Sequence, residues 1–481
     1  MSADLYKNTL QKLVELIRTN QFEESLQIVE QALKVFPENK GIKQLLAVIL
    51  IGVKNYDTAE KITKELLKSN PNAEDYNNLS IIKKSQGNFD DALVAAKLAA
   101  DINPNSSIYW FNLATIQHAL NKDEEAFEAI DMAIKLENND EYIYTKGGFH
   151  FNKCNTLEAI KYFKEAIKIN PKPEYMVEMF YALAKTKQYK SAWQFHEYRF
   201  ETSNQAKRIP LGLKLPVMFE SKSFYSEKIC ICFEQGLGDN IMFSRFLEPF
   251  SKIAPNSYLL TTDDDLKAFT KNINIAKSNS ILAGTTHIIC MMSLPYHLKI
   301  EEIPKPIYEN VHSPSCSVKL RIGIVWAGSA FHPADHIRST HISYFECILN
   351  DENIQVYSFM KDKRKRKRTG SAEIVDYAEG FDNYKLIDFG NQLTSITETM
   401  RLLDEIDLLV TVDTSIAHIA GSMGVPTYLL VNDICDWRWN ENTEISDWYP
   451  SIKICRKKTN ESYKNLIEDV YKKIRSGIIA P

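Results

Sequence analysis

Over roughly residues 5–200 the apolar positions follow a helical period, and the helical stretches themselves recur. A small residue returns at Ser25, Ala59, Ala92, Ala126, Ala159 and Ala192, at spacings of 33 or 34. Such a fixed interval is the signature of a repeat architecture. Seven residues later stand Ala32, Leu66, Ala99, Ala133 and Ala166, two turns along the same helix face. Pro37, Pro71, Pro104 and Pro171 follow, with Asn138 in the remaining slot; proline ends a helix because it cannot continue the hydrogen-bond ladder. An aromatic residue precedes the small one by three at Phe22, Tyr56, Phe89 and Tyr189. The pattern predicts pairs of antiparallel helices, in which the small residues allow close approach and the aromatic fills the space beside them. Stacked pairs build an α superhelix with a concave groove. The segment Trp193–Phe200 (WQFHEYRF) departs from the pattern and is expected to cap the array against the next domain.

From about Lys228 the period changes to short apolar runs separated by glycine and acidic turns. The runs are Ile229–Phe233, Ser257–Leu260, Ile322–Trp326, Gln355–Phe359, Asp407–Val412 and Thr427–Val431. Amphipathic stretches such as Asn240–Phe250 and Ile416–Met423 lie between them. Strands alternating with helices imply α/β architecture, with parallel sheets covered on both faces. The strand-turn-helix pattern begins near Lys228 and again near Leu320, which predicts two Rossmann-like lobes with a cleft between them. The expected domains are a repeat array over 1–205, a linker over 206–227, a first lobe over 228–315 and a second over 316–481. The proline-bearing segment Glu301–Ser317 is the expected hinge.

Composition adds limits. The chain has 481 residues, 44% hydrophobic and 25% charged, and a formal net charge of −4. That balance predicts no wholesale affinity for nucleic acid or an anionic membrane, so any anion site must be local. No apolar run reaches the 18 residues of a membrane span, and the charged N-terminal stretch lacks the apolar block of a signal peptide. The 8 cysteines are scattered, without a CxxC pair, which fits a reducing cytoplasm.

Ligands of open α/β sheets bind beyond the carboxyl ends of the strands, so the residues just after each strand are the candidates. After the first strand comes Glu234-Gln235-Gly236-Leu237-Gly238-Asp239. Gly236 and Gly238 let backbone amides approach a ligand, and Asp239 falls where a helix N-cap is expected. After the run ending at Val412 come Asp413, Thr414 and Ser415, opening a helix whose N-terminal amides and hydroxyls suit an anion; His418 follows one turn deeper. Taken alone, His418 reads as a satisfied core histidine. Arg338 can neutralise a phosphate bidentately or pair at the surface. Lys361 opens the basic run 361–368 and is placed to meet a diphosphate, while the rest of the run reads as a solvated surface or a patch that docks the acceptor. Asp263-Asp264-Asp265 resembles a metal-binding triplet, but capping of a following helix explains it better. The tryptophans Trp437, Trp439 and Trp448 read as a core edge, with stacking on a nucleotide base as the alternative.

The repeat spacing resembles that of tetratricopeptide repeats. The second half resembles the glycosyltransferases similar to ADP-heptose heptosyltransferases (family 9-like). VDTSIAHIAGSMGVPTYLL is similar to their nucleotide-sugar signature, and EQGLGDNIMFSRF to their glycine-aspartate motif. SLP at Ser293–Pro295, GIVWAGS at Gly323–Ser329 and DWRWNENTEISDWYPS at Asp436–Ser451 resemble a bacterial subgroup that fuses repeats to this domain. The resemblance implies a GT-B fold, with the acceptor on the first lobe and a nucleotide sugar on the second. It implies inverting transfer of a hexosyl or heptosyl group without metal or other cofactor. It makes Asp239 the general base and gives Asp413, Thr414, Ser415 and His418 to the nucleotide sugar; Gly236, Gly238, Gly328, Arg338 and Lys361, read from their places after strands, are the further candidates for binding it. The first lobe is shorter than in heptosyltransferases acting on lipopolysaccharide, which points to a different acceptor. A protein acceptor of flagellin type, docked by the repeats, is the leading expectation. Transfer to a lipopolysaccharide or polysaccharide precursor is one alternative, and a repeat scaffold that binds a nucleotide sugar without reacting is another. No nucleic-acid partner is expected, and self-association through the array is left open.

Overall fold

The computed structural model describes residues 2–202, 224–261, 268–270, 273–277, 282–308, 312–313, 317–329, 332, 335–361, 366–367, 374–458 and 461–477. Its contacts divide it into two compact units: Met1–His150 with Lys161–Asn170, and Phe151–Ile160 with Pro171–Pro481. The expected linker 206–227 falls almost wholly outside the described residues.

In the first unit, helices such as Lys40–Gly52, Tyr56–Ser69, Ala73–Ser85 and Phe89–Ile102 follow one another through short turns. The recurring small residues Ser25, Ala59, Ala92 and Ala126 are all 0% exposed, so their size sets the helix spacing. Phe22 fills the space beside Gly52, where a β-carbon would lie 2.4 Å from its ring. Asparagines open the helices: Asn39, Asn55, Asn72 and Asn88 accept from the amides of Ile42, Thr58, Asp75 and Asp91. Each satisfies a backbone donor that the helix start leaves over. The buried Asp75 carboxylate joins successive repeats, taking Lys40 Nζ at 3.0 Å and Gln44 Nε2 at 2.7 Å.

The second unit holds two parallel sheets. The first contains β1 (Ile229–Cys232), β2 (Tyr258–Leu260), β3 (Asn274–Ala276) and β4 (His287–Cys290), in the order β3-β2-β1-β4. The second contains β5 (Leu320–Val325) and β6 (Ile354–Ser358). The short hairpin of β7 (Arg366–Lys367) and β8 (Ile374–Val375) follows, apart from the sheet. The second sheet then continues with β9 (Ile387–Asp388), β10 (Leu408–Val412), β11 (Thr427–Asn432) and β12 (Ile452–Lys457), in the order β12-β11-β10-β5-β6-β9. Counted within its own lobe and from β9, that order is 3-2-1-4-5-6, the dinucleotide-fold order; the first sheet has its 3-2-1-4 part. Strand order therefore reverses between β5 and β10, and between β1 and β4. The residues that follow β1, β5 and β10 open onto these crevices. Each apolar run read from the sequence is a strand; β3, β4, β7, β8, β9 and β12 were not anticipated.

The segment Trp193–Phe200 packs the last repeat helices against the first lobe: Trp193 and His196 lie on Phe180, and Arg199 reaches Glu234 and Ser293. Together with the helices Pro173–Lys185 and Tyr189–His196 it belongs to the second unit. Arg199 is 2% exposed and donates to Glu197 at 2.8 Å, to Glu234 at 2.8 and 3.1 Å, and to Ser293 Oγ at 2.7 Å. Glu234 also accepts from the Met292 amide at 3.1 Å. Trp193 meets Phe243, Trp437 and Trp448 edge-on. Trp439 and Trp448 are 0% exposed and Trp437 is 5%, so the tryptophans form the core edge. Arg245 joins the lobes, donating from Nη1 to the carbonyls of Pro304 at 2.9 Å and Trp448 at 2.7 Å.

Candidate active site

The chain leaves β1 through Gln235, whose φ of 59° is left-handed. A non-glycine residue there costs about 1 kcal/mol or more and marks a site held by its surroundings. The helix Leu237–Phe243 then begins, with Gly236 at its N-cap. Asp239 lies three residues inside the helix, not at the cap as the sequence suggested. Its Oδ2 accepts from the Gly236 amide at 3.1 Å, closing the turn on itself. Gly238 presses against the other lobe: a β-carbon there would lie 2.7 Å from Cδ2 of His418.

In the second lobe, Asp413 follows β10, and Thr414 is the N-cap of the helix Ser415–Met423. Thr414 makes no side-chain bond to the first helix amides, which leaves this positive helix end uncapped. Arg338 reaches across from the segment after β5 and donates from Nη1 to the Asp413 carbonyl at 3.1 Å. Its Nε is buried without a hydrogen-bond partner. The guanidinium rests on Gly328, where a β-carbon would come within 2.5 Å of it. Gly328 is held in turn by Ser339 Oγ at 3.0 Å, and Ser339 by Asp335 at 2.7 Å.

His418 is 5% exposed, stacks on Trp439 at 5.3 Å and shares a 3.0 Å hydrogen bond between Nδ1 and the Tyr449 hydroxyl. Burial, followed by repulsion from Arg438, pushes its pKa down to about 3. It is a neutral imidazole at any working pH. Asp413 shifts the other way: desolvation, followed by the neighbouring Asp436 carboxylate, raises it to about 6. Opposed shifts of this size in one cleft are a functional signature.

Gly236, Gly238, Asp239, Gly328, Arg338, Lys361, Asp413, Thr414, Ser415 and His418 all line one cavity of about 600 Å³. The volume suits a ligand of nucleotide-sugar size. Lys361 is exposed on its lining. Ser395 caps the helix Ile396–Leu403 by accepting from Glu398 N, and lines the same space. Among the lining residues not singled out from the sequence are an ion pair, Asp436 and Arg438. Arg438 pairs with Asp239 and, at 2.6 Å, with Asp436. An arginine between two buried tryptophans in DWRW was the available signal. Asp263, Asp264 and Asp265 lie outside the described residues, as does most of the basic run. Among the described residues no group of three or more His, Cys, Asp or Glu side chains is placed to hold a metal ion.

Comparison with known proteins assigns both parts. Tetratricopeptide-repeat models match residues 16–80, 79–141 and 141–173. The model of glycosyltransferase family 9 (heptosyltransferase) matches residues 346–472. Tetratricopeptide repeats thus occupy the N-terminal part of the chain, and a family 9 glycosyltransferase domain lies in its C-terminal part. Protein FlbA of Caulobacter vibrioides is 21% identical over 482 residues, covering 91% of this chain and 78% of that protein. Human protein O-mannosyl-transferase TMTC1 is 26% identical over 166 residues, 33% of this chain and 19% of its own length. Among solved structures, the thermophilic TPR protein TTC0263 of Thermus thermophilus aligns at a TM-score of 0.35, with 21% identity over 37% of this chain and 98% of that one. The family 9 match covers Asp413, Thr414, Ser415, His418 and Arg438. The glycine turn bearing Asp239 lies before it.

Proposed function

We propose that the chain transfers a sugar, with inversion and without a metal, from a nucleotide sugar to a hydroxyl on a protein docked by the repeats. The observation that carries this reading is the single cavity in which a carboxylate from one lobe, Asp239, faces an uncapped helix end and two guanidiniums. The diphosphate would lie on the amides at Ser415, with Arg338, Arg438 and Lys361 supplying cationic charge. Stabilising a departing diphosphate in this way needs no metal. The acceptor oxygen attacks the anomeric carbon from the face opposite the diphosphate and gives its proton to Asp239. The bond to the diphosphate oxygen breaks, and nucleoside diphosphate leaves.

Arg438 bridges two functions in this scheme. It holds Asp239 and Asp436 together, and a bound diphosphate would offer it a competing partner, freeing Asp239 to take a proton. The neutral His418 would serve as a packing and hydrogen-bonding wall, not as a proton carrier. The protein O-mannosyl-transferase among the relatives agrees with a hydroxyl acceptor on protein, through a match to 19% of that protein. The test is incubation with labelled nucleotide sugars and candidate acceptors, comparing wild type with Arg438→Ala. Loss of transfer and weaker nucleoside-diphosphate binding in the variant are expected. Equal binding and equal transfer would remove Arg438 from the scheme.

A further inference from the structure

A second cavity, of about 310 Å³, adjoins the first and shares Asp239, Asp436, Arg438 and His332 with it. Asp239 is thus reached from two sides, as a base placed between a donor and an acceptor must be. The two sides differ in chemistry. The larger has Arg338, Lys361 and the uncapped helix end, all suited to phosphate. The smaller is walled by Phe151, Tyr181, Met292 and Trp437, and its one arginine already answers two carboxylates. An anionic group entering there would find no unclaimed cation on the described lining.

Two polar features remain on that wall. His196 is 4% exposed, its Nδ1 has no hydrogen-bond partner, and burial drives its pKa well below the ordinary histidine value. Its orphan nitrogen is closed off from solvent, so the groups a ligand hydroxyl can meet here are Gln235 and the Asp239 carboxylate. Gln235, in its left-handed conformation, is the other. Phe151, Tyr181 and His196 come from the last repeat helices, while Gln235 and Met292 come from the first lobe.

We propose that this smaller cavity is the acceptor subsite, and that it takes an uncharged, hydroxyl-bearing side chain of a polypeptide together with an apolar neighbour. The inference rests on the transferase reading above. It adds that the end of the repeat array forms part of the chemical site and sets its preference for neutral acceptors.

The experiment uses the full chain with its labelled donor and three probe sets: serine- and threonine-containing peptides with apolar flanks, the same peptides with acidic flanks, and uncharged methyl glycosides. Wild type is compared with Tyr181→Trp, which fills the cavity, and Gln235→Ala, on its exposed rim. The expected result is transfer to the apolar-flanked peptides in preference to the other two sets. Each variant should raise the peptide KM about tenfold while the donor KM shifts less than about twofold. Preference for acidic peptides or glycosides, or peptide KM values equal to wild type in both variants, would overturn the subsite. If wild type binds donor and releases free sugar yet glycosylates none of the peptides, the subsite assignment fails and the donor reading stands. If it neither binds nor consumes any donor, the transferase reading itself fails.

Discussion

At Gly328 the absence of a side chain is a feature of the neighbouring arginine. A β-carbon there would first meet the guanidinium end of Arg338, the far end of a flexible side chain that can move aside. Gly328→Ala should therefore leave the melting temperature almost unchanged and weaken nucleoside-diphosphate binding several-fold, measured by calorimetry. Wild-type affinity would show that Arg338 does not face the donor. Asp413 offers a pH-dependent test. Its folded pKa of about 6 lies above the ordinary carboxylate value, so the folded state holds the proton more tightly than the unfolded chain. Ionisation then costs stability as pH rises from about 4 to 6, and the cost is complete above 6. Asp413→Asn should stabilise the protein by about 1–2 kcal/mol at pH 8, allowing for partial solvent screening, with the gain fading by pH 4. Thermal melts at the two pH values check this; an equal effect at both would contradict it. Much of the cavity lining was legible in the sequence. Asp239, Asp413 and the glycines could be singled out because each follows a readable strand, whereas Arg438 and Asp436 lie in an irregular turn after β11 that has no period to read.

At the level of elements, periodicity carried the reading wherever one face of an element is buried against a repeated neighbour. Ser25, Ala59, Ala92 and Ala126 could be found because each lies at the same helix contact, and each is fully buried. The strands β1, β5, β10 and β11 could be found because burial on both faces makes them continuous apolar runs. β3 is only three residues long and partly exposed, and β9 only two, so neither leaves such a trace. The partners of Trp193–Phe200 are illegible for a different reason. Arg199 is fixed by Glu234 and Ser293, 35 and 94 residues away, and no local pattern encodes partners at that distance. Replacing Arg199 with Met would leave the Glu197 and Glu234 carboxylates buried without their cation. A loss of about 3–5 kcal/mol in urea unfolding is expected. An unchanged midpoint would mean that the clamp adds no stability.

For the whole molecule, the division into compact units matters more than the boundary suggested by the repeat period. The helices Pro173–Lys185 and Tyr189–His196 continue that period, yet they belong with the sheets. A chain cut to begin at residue 206 loses Arg199, Trp193 and Tyr189 from its core and should be recovered unfolded or aggregated. A chain beginning at residue 151 keeps them and should show a cooperative melt with donor bound. Folding of the shorter chain with wild-type stability would contradict this division. If the repeats dock the acceptor, the chain beginning at 151 should also keep its donor KM while its KM for a protein acceptor rises.

In the proposed mechanism Asp239 removes the acceptor's proton in a cleft whose other wall holds the donor diphosphate. The most direct measurement is the rate of sugar transfer from a saturating labelled nucleotide sugar by wild type and Asp239→Ala, with donor affinity measured on the same samples. The account predicts a loss in kcat of about 10²–10⁴ with donor affinity within about threefold of wild type. Undiminished transfer by the variant would contradict it.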